Sequence, residues 1–248
     1  MLEFIEWLTR DLSGTARIWY ALAPMLAFAA YFVGGMLLYL VRCATIGQYR
    51  DPELAKRAGR TILTGLWIRF YFAWVMKPIW SAVVRTGVPA NAITTLSVLL
   101  ATGSGVALAA GKFGMGGWLY IFAGICDFLD GRLARANKSA SPEGAALDSV
   151  LDRYADAAVL VGLAWFYRDS WVLLPTLAAL VGSGLVPYIR ARGEAEGVQV
   201  TVGLMQRAER ILYLGVSVAF SPILEVLLDP TNPKPVHRLA VKIGRAHV

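Results

Sequence analysis

Cysteine and histidine are scarce in this chain of 248 residues, with two of each. Cys43 and Cys126 lie far apart without a C-x-x-C spacing, which argues against a disulfide framework and a cysteine-ligated zinc site and leaves both as small packing residues. His237 falls in a polar stretch and His247 at the far end, so neither is given a role. Charge is thin too: 17% of residues are charged and 57% are hydrophobic. With a mean hydropathy of +0.55, the composition reads as a polytopic helical membrane protein rather than a soluble domain. No polar module interleaves basic and aromatic residues as a phosphate-tracking surface would, so a nucleic-acid partner is not expected. The net charge of +7 is what basic cytoplasmic loops produce by themselves. The opening "MLEFIEWLTRDL" carries acid where a secretory signal carries base. It reads instead as a short amphipathic interfacial helix.

What is present is apolar runs. Segments long enough to span a bilayer, about 20 residues, fall near 18–41, 91–110, 115–134, 146–167, 170–189 and 209–228. Between the first two, residues 61–89 alternate aromatic and basic residues, with Arg69, Lys77 and Arg85 interrupting the pattern; this predicts an amphipathic helix lying on the membrane. Basic residues crowd 42–85 and follow the fifth span at Arg190, Arg192, Arg207 and Arg210, so those loops are expected in the cytoplasm. The chain divides on this reading into 1–60 (interfacial helix, an extra transmembrane helix and a cytoplasmic loop), 61–89 (juxtamembrane amphipathic helix), 90–242 (transmembrane core) and 243–248. The last hexapeptide, "IGRAHV", resembles the translation of a sequencing adapter and is set aside as non-native; the helix starting before it is expected to be cut short.

Against this apolar background, "DFLDGRLARANKSASPEGAALDSVLD" is an anomaly. Asp127, Asp130, Gly131 and Ala134 recur at intervals of three and four, on one face of a helix end, and Gly144, Asp148 and Asp152 line one face of the next. The short link between them predicts antiparallel neighbours and four converging carboxylates. Unpaired, such groups repel; with Mg²⁺ or Mn²⁺ between them they form an oxygen-rich site, and two ions about 4 Å apart suit displacement at phosphorus. Gly131 and Gly144 leave room for a flat group or a diphosphate against the backbone. Arg135 lies one turn past Gly131 and suits a phosphate, while Lys138, Arg153, Arg190 and Arg192 add cations at the same rim.

The pattern D-x2-D-G-x2-A-R-x8-G-x3-D-x3-D is matched in full by Asp127, Asp130, Gly131, Ala134, Arg135, Gly144, Asp148 and Asp152. It resembles the CDP-alcohol phosphotransferases, and the resemblance runs from about Val88 to Leu228. It implies an all-α fold with a six-helix transmembrane core, the last core helix truncated here, usually assembled as a homodimer. It also implies a reaction in which an alcohol attacks the β-phosphorus of a CDP-linked lipid such as CDP-diacylglycerol and CMP leaves. The four aspartates would hold two Mg²⁺ or Mn²⁺ ions and Asp152 would act as the base. Gly131, Ala134, Arg135 and Gly144 would bind the CDP-lipid. Lys138, Arg153, Arg190 and Arg192 are similar to residues that bind the acceptor's phosphate in phosphatidylinositol-phosphate synthases, so a phosphorylated polyol such as inositol phosphate or glycerol 3-phosphate is the expected acceptor. The expected location is a bacterial or archaeal inner membrane, with the site facing the cytoplasm. Two other classes also place carboxylates in a membrane: Mg²⁺-dependent intramembrane prenyltransferases and divalent-cation transporters.

Overall fold

The computed structural model describes residues 15–50, 66–136, 141–198 and 207–228. The expected interfacial helix at the start, most of the loop before residue 66, Lys138, and the last helix expected to be cut short, with the hexapeptide after it, fall outside them. The described residues form eight helices and no strand: α1 (Thr15–Thr45), α2 (Leu66–Val75), α3 (Lys77–Thr86), α4 (Ala90–Ala109), α5 (Phe113–Ala136), α6 (Pro142–Phe166), α7 (Leu173–Ala195) and α8 (Arg207–Leu228). All six apolar runs are helical, and the chain is an integral membrane protein. By length and hydropathy alone Leu22–Thr45, Ala90–Ala109 and Leu173–Ala195 qualify as membrane spans. By contrast, α5, α6 and α8 each gather several charged residues toward one end.

The amphipathic stretch forms two helices where the sequence suggests one. Pro78 opens α3; without an amide hydrogen, and with a ring that crowds the preceding turn, it breaks the helix after Val75. The carbonyls this break exposes are supplied from α1. Tyr31 Oη donates to Val75 O at 2.5 Å, and Tyr71 Oη donates back to Phe32 O. Nor does this stretch only lie on a surface, for Phe70, Tyr71, Val75 and Met76 are buried, the last three against Tyr39 of α1. From α3, Trp80 meets the guanidinium of Arg132, which also lies over Phe128.

The core is built on α4. It packs extensively on both α5 and α6, α8 packs on the other side of α5, and α7 touches chiefly α6. Two crossings need glycine. A Cβ on Gly162 would lie 2.1 Å from Gly105 O, and one on Gly105 would lie 2.2 Å from Ala158 O, so α4 and α6 meet backbone to backbone. A Cβ on Gly117 would lie 2.4 Å from Ala219 N and 2.6 Å from Gly215 O, which fixes α5 against α8 in the same way. Small residues four apart let membrane helices approach this closely, where packing and not water exclusion drives association. Ser104 Oγ reaches Gly116 O at 2.7 Å and closes the α4–α5 hairpin near its turn.

Expected as direct neighbours, α5 and α6 are joined by a short link yet share no extensive backbone contact; each leans on α4 instead. Their acidic ends meet through side chains, with carboxylates of Asp127, Asp148 and Asp152 close together.

Candidate metal and phosphate site

The site is built from the facing ends of α5 and α6. On α5 the helical stride puts Asp127, Asp130 and Gly131 on one stripe. α6 is started by Ser141, whose Oγ accepts from Gly144 N–H at 3.0 Å, and by Pro142; these are ordinary start signals. That fixed start aims Asp148 and Asp152, one turn apart, at α5. Carboxylate oxygens of Asp127, Asp148 and Asp152 all lie within 4.8 Å of one another. Asp130 is not in that group. It is buried beside it, and its Oδ2, like Asp148 Oδ1, is buried without a hydrogen-bond partner among the described residues.

A positive charge already stands among these oxygens. Arg207, the first residue of α8, places Nη1 2.6 Å from Asp127 Oδ2 and 2.8 Å from Asp152 Oδ1. Behind it is a carboxylate that the motif does not include. This is Asp156, which follows Asp152 by one more turn of α6. It is buried, accepts from Tyr120 Oη at 3.0 Å, and lies 3.6 Å from Arg207 Nε and 3.5 Å from Arg210 Nη2. A sequence signal for it exists, since Asp148, Asp152 and Asp156 continue one helical stripe. Nothing along the chain marks Arg207 and Arg210 as more than members of a basic loop.

The glycines of the site differ from those of the core. Among the described residues a Cβ on Gly131 would meet only Arg135 Nη1, at 3.5 Å, and one on Gly144 only Ser141 Oγ, at 3.3 Å. Arg135 thus folds back over Gly131, in keeping with its spacing. Of the expected acceptor residues, the three described ones each bond within their own helix. Arg153 turns back onto its own helix, to Ser149 O and to Ser149 Oγ at 2.5 Å. Arg190 and Arg192 pair with Glu194 at 3.7 Å and Glu196 at 2.6 Å, each four residues on and exposed, and Lys138 lies outside the described residues.

The donor set fits a hard divalent cation. It is all oxygen, it includes orphaned buried carboxylate atoms, and a guanidinium stands where a shared cation would be drawn.

The chain belongs to the CDP-alcohol phosphatidyltransferase family, matching it over residues 87–228; it is a transferase. Membership favours this class over the prenyltransferase and the transporter. It is 33% identical over 171 residues, 64% of this chain and 74% of the relative, to a phosphatidylinositol phosphate synthase of Mycobacteroides abscessus. It is 35% identical over 130 residues, 52% of this chain and 66% of the relative, to an archaetidylinositol phosphate synthase of Methanothermobacter thermautotrophicus. Among solved structures it is similar to the Mycobacterium tuberculosis phosphatidylinositol phosphate synthase in complex with manganese and citrate, with a TM-score of 0.53, 29% identity, and coverage of 68% of this chain and 86% of that one.

Proposed function

We propose that this membrane transferase moves a phosphatidyl group from CDP-diacylglycerol to inositol phosphate, releasing CMP. One observation carries the reading: carboxylate oxygens from facing ends of α5 and α6 gathered within 4.8 Å, next to two glycines whose open sides face no packed backbone. Asp127, Asp130, Asp148 and Asp152 are the residues that would hold two Mg²⁺ or Mn²⁺ ions. Bound there, such ions would withdraw charge from the diphosphate oxygens as it builds up in the displacement. Everything else falls to the protein's own side chains. Gly131, Ala134 and Gly144 leave a flat berth for cytidine, and Arg135, folded over Gly131, pairs with a phosphate of the diphosphate. Asp152 takes the proton of the attacking hydroxyl, so that one P–O bond forms, the bond to CMP breaks, and a phosphodiester remains.

The acceptor's phosphate needs cations near the attacking oxygen. Arg207 and Arg210 stand beside the carboxylates, and Lys138, Arg153, Arg190 and Arg192 are the further cations proposed to receive that phosphate. The names of the relatives favour inositol phosphate over glycerol 3-phosphate. We further propose that the protein is a homodimer, with its site toward the cytoplasm of a bacterial or archaeal inner membrane, where the basic loops belong. The lipid's acyl chains then stay in hydrocarbon while its phosphorus meets water-soluble acceptor at the interface.

The test is CMP release by purified protein given CDP-diacylglycerol, Mn²⁺ or Mg²⁺, and inositol 1-phosphate, glycerol 3-phosphate, inositol or serine in parallel. The expected result is CMP with inositol phosphate alone, abolished by EDTA and restored by metal. Faster release with glycerol 3-phosphate or with an unphosphorylated alcohol would reassign the acceptor.

A further inference from the structure

Arg207 faces carboxylates in two directions at once, and only one of the two sides is hydrogen-bonded. Its Nη1 bridges Asp127 of α5 and Asp152 of α6. Its Nε faces Asp156 at 3.6 Å, beyond hydrogen-bond distance, and has no hydrogen-bond partner among the described residues. A buried N–H left unbonded is costly. A small displacement of the guanidinium away from Asp127 and Asp152 would satisfy it on Asp156. Asp156 is ready to receive it: Tyr120 fixes Oδ1 at 3.0 Å, and Arg210 meets Oδ2 only loosely at 3.5 Å, with its own Nε also unpartnered among the described residues.

Building on the metal centre proposed above, we propose that Arg207 and a divalent cation exclude each other from the Asp127 and Asp152 carboxylates, and that Asp156 is the positioning residue that takes up the displaced guanidinium. The electrostatics require something of the kind. Asp127, Asp130, Asp148, Asp152 and Asp156 bring five carboxylates to one region, and without a cation they repel strongly at low dielectric. Arg207 offsets part of that repulsion. A divalent ion that draws on the same oxygens meets a like charge at the centre of its shell, so the guanidinium must leave, and leaving without an acceptor would strand a buried charge. Asp156 lies one turn deeper, outside the cluster of Asp127, Asp148 and Asp152, so the guanidinium can retreat a short way without losing a carboxylate partner. Tyr120 keeps Asp156 from rotating out to join the other carboxylates. The exchange also ties α8, which carries Arg207, to the state of a site built on α5 and α6.

The measurement is Mn²⁺ affinity of the full chain in detergent or nanodiscs, read by electron paramagnetic resonance without substrate. Variants are scored on material that elutes as the wild type does. Arg207→Gln is expected to tighten Mn²⁺ binding by about fivefold or more, the lower end of ordinary coupling between two ligands, and to lower the unfolding midpoint of the metal-free protein. Arg207→Lys should fall between it and wild type. Asp156→Asn removes the retreat and is expected to weaken Mn²⁺ binding by a similar factor, but only while Arg207 is present; in Arg207→Gln the same change should have almost no effect. That dependence separates positioning from a general loss of structure. Affinity unchanged or weakened in Arg207→Gln, or an Asp156→Asn effect equal with and without Arg207, would overturn the exchange and leave the metal centre standing. No Mn²⁺ binding by the wild type at all would overturn both.

Discussion

Two pairs of glycines in this protein sit in contrasting surroundings. Gly105 and Gly162 have no space at all: a methyl group on either would meet backbone of the opposite helix at 2.2 and 2.1 Å. Gly131 and Gly144 meet, among the described residues, only the tip of Arg135 and Ser141 Oγ. The first pair makes the fold by letting α4 and α6 touch; the second keeps the helix backbone accessible beside the acids. The two pairs also mark the two ends of the bundle. Where glycine and alanine draw helices together, α5 and α6 are both bound to α4. Toward the acidic end α5 still packs on α4, with Leu129 and Leu133 against Ile93, while α5 and α6 meet each other through acidic side chains. Packing of both helices on α4 is thus what sets their like-charged groups side by side.

The sharpest way to break this comparison is at the open end, with a change that should cost chemistry and not structure. Asp152→Asn is expected to cut CMP release by about 10²–10⁴-fold, the usual reach of a general base, with thermal unfolding close to wild type. A wild-type rate with metal present would remove Asp152 as the base. At the closed end the pattern should invert. Gly162→Val forces β-branched bulk against Gly105 O and should destabilise by about 3 kcal/mol, the upper part of the range for overpacking. Its unfolding midpoint in detergent should drop, and a midpoint like wild type would mean the helices can part at little cost. Gly131→Ala separates the two kinds of glycine most directly. Alanine in a helix is favoured over glycine by about 0.5–1 kcal/mol, so stability should hold or rise while KM for CDP-diacylglycerol increases. A fall in stability with KM unchanged would place Gly131 among the packing glycines. Smallest of all, Arg192→Ala removes an exposed ion pair with Glu196 and should change stability by less than about 1 kcal/mol. Any loss of activity should appear in KM for the acceptor alone.

The acidic motif is legible in the sequence because helical periodicity is local. Residues three and four apart share a face whatever the tertiary fold, so spacing alone pairs Asp127 with Asp130 and Asp148 with Asp152. The same rule reaches Asp156, which lies one turn past the end of the motif and so goes unmarked by it. Arg190 and Arg192 also carry a local warning, since each has a glutamate four residues on and so a partner on its own helix. Pro78 announces the break between α2 and α3 in the same local way.

The sequence by itself determined that this is an all-helical membrane protein, which helices carry the acids, and which faces those acids share, because hydropathy and the 3.6-residue repeat depend on neighbours along the chain. Only the tertiary structure decided that α5 and α6 lean on α4 and not on each other, that Asp130 stands outside the tightest group, and that Arg207 reaches across from α8 to bridge Asp127 and Asp152. Those are distances between segments far apart in the chain, fixed by where backbones can touch and where charges must be neutralised, and no spacing along a single helix encodes them.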